Sequence, residues 1–375
     1  MEECGVAIRL NPFKGLDGPE GTPVPWSPYG RILSERPSFT LDPRFHAGCY
    51  YVQDSSAMFV GHLFRRALEG MKGPVRVLDL CAAPGGKTTD LAASLREAFG
   101  NEFILVSNEV LRERSRVLLD NVALWGDPNV VVCSCDPAAF ASLGGYFDII
   151  VADVPCSGEG MFRKDPKARE QWSPALVDLC AKRQRRILAD VWPSLREGGV
   201  LVYSTCTYEA AENDDNLEWA AETLGAEIIP PTDEFSGYGV ETTPCGNLLR
   251  DGVVPGEGQW GGMARKTSAS GPGRGDLGIL RPLRSSVVKG EMKGKDLVPC
   301  ADYALSLSYE GEYPEVELDL KTALSFLHRD SFALPDAPLG YLAVCYRGHR
   351  LGFVKNLGRR CNNLHPQSRR ILMDV

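Results

Sequence analysis

Val77-Leu78-Asp79-Leu80-Cys81-Ala82-Ala83-Pro84-Gly85-Gly86-Lys87-Thr88-Thr89 is the stretch whose reading decides the fold. An apolar run with the length of a buried strand meets a turn of small residues, and Leu91, Ala92, Leu95 and Ala98 then recur at helical spacing up to Phe99. At such a strand-turn-helix junction glycine removes the Cβ barrier and the first helical amides lack internal partners. Backbone N–H groups can therefore approach a ligand closely. Gly86-Lys87-Thr88 matches the end of a nucleotide P-loop, but Cys81 stands where that motif needs its first glycine, which excludes it. An ordinary βα turn is the plain alternative.

Outward from this turn, short apolar strands alternate with amphipathic helices. Strands are predicted at Val75–Leu80, Phe103–Ser107, Val130–Cys133, Asp148–Ala152 and Val200–Tyr203, and helices at about 88–99, 110–125, 174–196 and 209–224. This alternation implies an α/β fold with a parallel sheet covered on both faces, whose ligands bind beyond the carboxyl ends of the strands. Polar residues stand at those ends: Glu109 after the second strand, Asp136 after the third, Asp153 after the fourth and Cys206 after the fifth. An acid after the second strand suits ribose hydroxyls. Singly, each of these residues is more often a cap or a solvated charge.

The flanks differ in character. Residues 1–52 are punctuated by Pro12, Pro19, Pro23, Pro25, Pro28, Pro37 and Pro43 and read as extended and loop-rich, followed by a helix from Asp54 or Ser55 to about Met71. Gln259–Lys266 reads as a last strand, residues 267–296 have linker composition, and Tyr341–Tyr346 with Arg350–Val354 reads as a hairpin around Gly348. The expected division is thus an N-terminal segment over 1–70, a catalytic domain over 71–266, a linker over 267–296 and a small β-rich domain over 297–375. Arg347, Arg350, Lys355, Arg359, Arg360, Arg369 and Arg370 make the tail basic, a candidate RNA or DNA surface, although a solvated face is the bland reading.

At 375 residues, with 43% hydrophobic and 24% charged, the composition is that of a soluble globular chain. It lacks a membrane-length apolar run and a signal peptide, so a cytoplasmic protein is expected, with no membrane partner. Twelve cysteines without a C-x-x-C pair and five scattered histidines suggest neither a disulfide framework nor a metal site. The net charge of −8 argues mildly against nucleic acid, so charge distribution has to decide.

Asp153-Val154-Pro155-Cys156-Ser157-Gly158 and Ser204-Thr205-Cys206-Thr207-Tyr208 place two cysteines at neighbouring strand ends. A buried free cysteine is usually a small hydrophobe. A thiolate also adds well to C6 of a pyrimidine, which turns C5 into an enamine-like carbon able to accept a methyl group. Such a reaction needs a hydrogen-bonding acid at N3, for which a protonated Asp153 is the expectation, and assistance in losing the C5 proton.

Leu78–Thr89, Asn108-Glu109-Val110, Cys135-Asp136-Pro137, Asp153–Met161 and Tyr203–Asn213 resemble successive motifs of the Nol/Nop/Sun family of S-adenosylmethionine-dependent RNA cytosine-C5 methyltransferases. Cys49–Ser56 and Asn356–Leu364 resemble its bacterial branch of F-type enzymes, which modify 16S ribosomal RNA. The resemblance implies a class I, Rossmann-like methyltransferase sheet with a PUA-like C-terminal domain, acting as a monomer on RNA, with 16S rRNA or the small ribosomal subunit as the expected partner. It places the cofactor's methionine part on Cys81, Ala82, Ala83, Pro84, Gly85, Gly86 and Lys87, its ribose on Glu109, its adenine on Asp136, and its edge with the target base on Asp153. Cys206 becomes the nucleophile and Cys156 the residue assisting release, whereas DNA cytosine methyltransferases use the Pro-Cys cysteine. Departures are a short N-terminus relative to the family, Asp214 where a Glu-Asn-Glu run is usual, and a poor match over Gly237–Gly258. A tRNA substrate, an amino-group methyltransferase and a non-catalytic RNA-binding assembly factor are the rivals. Asp153-Val154-Pro155-Cys156 stands against the second and the intact cysteine pair against the third.

Overall fold

The computed structural model describes residues 5–163, 166–271 and 275–373. β1 (Ala7–Leu10), β2 (Thr22–Pro23), β3 (Gly30–Ile32) and, beyond the short α1 (Pro43–His46), β4 (Tyr50–Val52) form an antiparallel sheet in the order β2-β3-β1-β4. The loop-rich reading of residues 1–52 missed this sheet, because its strands are two to four residues long and separated by prolines. Asp54 Oδ1 accepts from Ser56 N at 2.9 Å and starts a turn that runs into α2 (Phe59–Leu68).

The central sheet is built from β5 (Val75–Asp79), α3 (Gly86–Phe99), β6 (Phe103–Asn108), α4 (Arg112–Trp125), β7 (Val130–Cys133), β8 (Phe147–Asp153), the short α5 (Pro166–Gln171), α6 (Pro174–Val191), β9 (Leu195–Thr205) and α7 (Asp214–Ala220). Its parallel strands run in the order β9-β8-β5-β6-β7. β10 (Ala226–Ile229), β11 (Glu241–Thr242), β12 (Gly246–Leu249) and β13 (Gln259–Lys266) extend the β9 side antiparallel. Alternate residues of each strand serve different faces: Val77 and Ile149 pack with Leu91 and Leu95 of α3, Leu78 and Ile150 with Ile187 and Leu188 of α6. The α6 helix ends at Val191 rather than at 196. Pro193 has no N–H to continue it, and Leu195 already begins β9.

After β13 the expected linker is partly ordered structure. Leu280 is buried in the core, Val132 of β7 exchanges backbone hydrogen bonds of 2.8 Å with Leu283 and Arg284, and β14 (Gly290–Lys293) pairs with β15 (Asp296–Pro299). Then follow α8 (Ala301–Leu305), β16 (Glu315–Glu317), α9 (Leu320–His328), β17 (Gly340–Tyr346), β18 (His349–Asn356) and β19 (Cys361–Asn363), with the four strands in one sheet. Its apolar face is completed from the other end of the chain: Ile8, Leu10, Phe39 and Tyr50 share one buried cluster with Ala323, Phe326, Leu342 and Val354.

The segment after β1 also grips the central domain. Asn11 Nδ2 donates to Gly48 O at 3.0 Å and Trp125 O at 3.2 Å, and Lys14 Nζ to Ala47 O at 2.5 Å and Leu124 O at 2.8 Å. The last carbonyls of α4, which have no helical partner, are thereby satisfied, and a cation suits that helix end. Burial pushes the Lys14 pKa down to about 7, so between there and the ordinary 10.5 the folded chain binds fewer protons than the unfolded one. Stability should therefore rise with pH across that window. Lys14→Met is expected to cost about 1–3 kcal/mol by orphaning carbonyls and to abolish that rise, both read from urea unfolding at several pH values. An unchanged pH slope would show that Lys14 does not titrate there.

Candidate active site at the carboxyl edge of the sheet

Asp79 ends β5 fully buried, with Oδ2 accepting from Thr88 Oγ1 at 2.6 Å and Oδ1 without a partner among the described residues. Burial pushes its pKa up to about 7, outweighing the Thr88 hydrogen bond and the charge of Lys87. From there the turn Cys81–Gly86 is held along its backbone. Ala82 N donates to Asn108 O, Arg114 Nη2 to Ala83 O and Asn121 Nδ2 to Pro84 O, all at 2.8 Å. Gly85 has φ 114°, in the region that side chains rarely adopt, and it leads directly into α3.

Two residues without an expected role fix this turn. Asn108 at the end of β6 donates to Leu80 O and Cys135 O and accepts from Cys135 N at 2.9 Å, tying three strand ends together. Arg9 of β1, fully buried, donates to Gly86 O at 3.1 Å and Gln53 Oε1 at 3.0 Å and lies 4.6 Å over the Trp125 ring. The only sequence signal for Arg9 is a charge inside the apolar run Val6-Ala7-Ile8-Arg9-Leu10.

Glu109 follows β6, buried, its Oε1 accepting from Leu111 N at 2.9 Å and its Oε2 3.4 Å from Arg114. Asp136 lies exposed beyond β7 and caps the following turn, with Oδ1 accepting from Ala138 N at 3.0 Å. Asp153 ends β8. Instead of the proton donor expected from sequence, it is an acceptor on both oxygens: Oδ2 meets Lys87 Nζ at 2.8 Å and Oδ1 accepts from Ser204 Oγ at 2.7 Å. The donor at this spot is Lys87. Burial disfavours its ammonium, but Asp153, then Cys206 and Asp79, outweigh that and raise its pKa.

The two cysteines meet. Cys156 Sγ lies 3.1 Å from Cys206 Sγ and accepts from Cys206 N at 3.3 Å. The hydrogen bond to Cys206, and then burial, hold the Cys156 pKa well above the usual thiol range. The poorly matching loop closes over the site. Tyr208 OH donates to Asp251 Oδ1 at 2.6 Å, and Gly258 N donates to Gly160 O at 3.0 Å. A Cβ on Gly160 would come within 2.6 Å of Gly258 Cα, so this closure demands glycine.

S-adenosyl-L-methionine, with its sulfonium and ammonium, fits the mouth around Cys81. Burial first, and then Asp153, Asp79 and Glu109, push the Cys81 pKa up, which reports a negative environment that a cation would relieve. Asp79 Oδ1 is in addition a buried acceptor left open. Among the described residues no cluster of three or more metal-binding side chains occurs, and no helix is long and apolar enough to cross a membrane.

Comparison with known proteins agrees with this geometry. Residues 67–243 match the family model of the 16S rRNA methyltransferase RsmB/F, residues 1–55 that of the N-terminal domain of 16S rRNA methyltransferase RsmF, and residues 313–371 that of the methyltransferase RsmF PUA domain. The ribosomal RNA small subunit methyltransferase F of Escherichia coli O157:H7 is 36% identical over 282 residues, covering 70% of this chain and 57% of that protein. Its namesake from Salmonella paratyphi A is 37% identical over 254 residues, covering 65% and 51%. The chain thus spans little more than half the length of these curated relatives. A methyltransferase homolog protein from Pyrococcus horikoshii superposes with TM-score 0.57 at 28% identity, covering 71% of this chain and 87% of that one. NSun6 from the same organism, in a structure with SFG, gives TM-score 0.51 at 26% identity, covering 62% and 57%. With three RsmF-type segments matched in succession around one Rossmann-like sheet that uses S-adenosyl-L-methionine, the chain belongs to the RsmB/F methyltransferase family.

Proposed function

We propose that the protein methylates C5 of a cytosine in RNA, with 16S rRNA or the small ribosomal subunit as substrate, acting as a cytoplasmic monomer. The observation that carries this reading is the sulfur pair of Cys156 and Cys206, 3.1 Å apart at the carboxyl edge beside the Lys87–Asp153 pair. An amino-group methyltransferase needs no thiol, and a non-catalytic assembly factor needs no matched pair of them. The relatives named as rRNA methyltransferases favour rRNA over tRNA.

When bound, S-adenosyl-L-methionine supplies an electrophilic methyl group. The turn Cys81–Lys87 would hold its methionine part, Glu109 its ribose and Asp136 its adenine. Cys206 Sγ, its thiol proton passing to solvent, adds to C6 of the base and makes C5 nucleophilic. Lys87 Nζ and Asp153 hold the polar edge of the ring, the lysine as donor and the aspartate as acceptor. Release restores the ring: the C5–H electron pair re-forms C5=C6 and the S–C6 pair returns to Cys206. Cys156 Sγ is placed to take the C5 proton once its own has passed to solvent. A base in an unpaired loop reaches this site without the few kcal/mol of unstacking that a duplex requires.

For RNA affinity the basic tail contributes less than its composition implies. Arg350 pairs with Glu315 at 3.3 Å, Lys355 with Asp296 at 3.3 Å, and Arg369 with Asp120 at 3.5 Å and with Asp302. Arg347, Arg359 and Arg360 are exposed and make no ion pair among the described residues. Deleting residues 297–375 would also strip the cover from Ile8, Leu10, Phe39 and Tyr50, at about 2 kcal/mol each against a total stability of about 5–15 kcal/mol. Point substitutions are therefore the informative test.

Cys206→Ala is expected to abolish covalent trapping on 5-fluorocytosine RNA, and Cys156→Ala to accumulate adduct on ordinary cytosine RNA, both seen on denaturing gels. The reverse pattern would assign the nucleophile to Cys156. Joint replacement of Arg347, Arg359 and Arg360 by alanine is expected to lower the slope of log affinity against log salt by about 2–3. An unchanged slope would move the RNA surface elsewhere.

A further inference from the structure

The two cysteine loops are tied to one another by a pair of carboxylates that the chemistry above does not use. Glu159, on the Cys156 loop, reaches across so that its Oε2 accepts from Thr207 Oγ1 at 3.0 Å and Tyr208 N at 3.1 Å, just past Cys206. Glu212, fully buried after the Cys206 loop, reaches back, its Oε2 accepting from Ser157 N at 3.1 Å and Gln184 Nε2 at 2.7 Å, just past Cys156. Between them Ser157 Oγ and Thr207 Oγ1 lie 3.0 Å apart, and Gly160 N donates to Cys206 O at 2.9 Å. A buried carboxylate is costly unless its hydrogen bonds are made, and apolar packing alone would hold two loops together more simply. These carboxylates do something packing does not, which is to fix the backbone immediately after each sulfur.

We propose that Glu159 and Glu212 are positioning residues that set the spacing of the Cys156 and Cys206 sulfurs and thereby serve release of the methylated base. The proposal rests on the cytosine-C5 reading above. Adduct formation needs only Cys206 at C6, but release needs Cys156 to stay within reach while Cys206 is bonded to carbon. Loosening either loop should therefore slow release more than addition, and should leave the cofactor turn, which is held by Arg9, Asn108 and Asn121, untouched.

Glu159→Ala is expected to lower turnover roughly tenfold, to raise the fraction of protein trapped as covalent adduct on ordinary cytosine RNA, and to leave KM for S-adenosyl-L-methionine unchanged. Glu159→Gln should restore turnover and a low adduct fraction, because both donors meet the same oxygen and the carboxamide oxygen can replace it. Glu212→Gln should restore only part, because its other oxygen also faces Ser157 N at 3.3 Å, where an amide NH2 would meet a second donor. If Glu159→Ala does not fold, the contrast between the two glutamine variants still decides. Equal adduct fractions in wild type, Glu159→Ala and Glu212→Gln, or a loss of turnover that only follows Tm, would overturn the proposal. Absence of a Cys206-linked adduct when the wild type meets 5-fluorocytosine RNA would instead overturn the cytosine-C5 reading, and this proposal with it.

Discussion

Between β5 and β8 the connections leave on opposite faces of the sheet, α3 packing with one core cluster and α6 with the other. The carboxyl ends of these neighbouring strands consequently open onto a crevice instead of a packed helix. The Lys87–Asp153 pair spans that gap, one member from each side. Every group argued to act lies within reach of this line: the cofactor turn and Glu109 on the β6 side, the two sulfurs on the β9 side. Reversing the helix crossing at this point would leave the same residues with no common site.

Burial first, and then the neighbouring carboxylates Asp153 and Glu109, push up the Asp79 and Cys81 pKa values in this crevice. Such a site needs rigid external support, and the chain supplies it from far away. Arg9 braces the first turn of α3, while Asn11 and Lys14 hold the end of α4. All three belong to the segment whose strands share a core with the C-terminal sheet. The cofactor turn and the PUA-like sheet are thereby joined through one short strand, which explains why the flanks belong to the enzyme and are not detachable accessories.

The central alternation was readable from sequence because parallel strands covered on both faces must be largely apolar; β13, though polar at both ends, also matches the expected Gln259–Lys266. Their common edge followed from topology, so the convergence of Cys81, Glu109, Asp153 and Cys206 was also readable. What escaped was non-local or compensatory. No periodicity links Phe39 to Phe326, which nevertheless share a core. The break at Trp192–Ser194 was hidden in a helical pattern that runs on past it. The hydrogen-bond donor expected at Asp153 is instead Lys87 Nζ, whose direction only the folded turn determines.

The overall charge of −8 poses a problem for an RNA partner that counting cannot resolve. Of the basic tail, Arg350, Lys355 and Arg369 are spent on Glu315, Asp296 and Asp302, contacts that hold the sheet and its neighbours together. Arg347 sits on the tight turn between β17 and β18, and Arg359 and Arg360 on the turn between β18 and β19, where Leu339 and Leu357 are exposed. Short basic turns with apolar shoulders suit an irregular, partly unstacked RNA better than a long charged groove would. On the proposed reading, affinity from this module is modest and specificity comes from the crevice, where a base would have to leave its stack to reach the paired sulfurs.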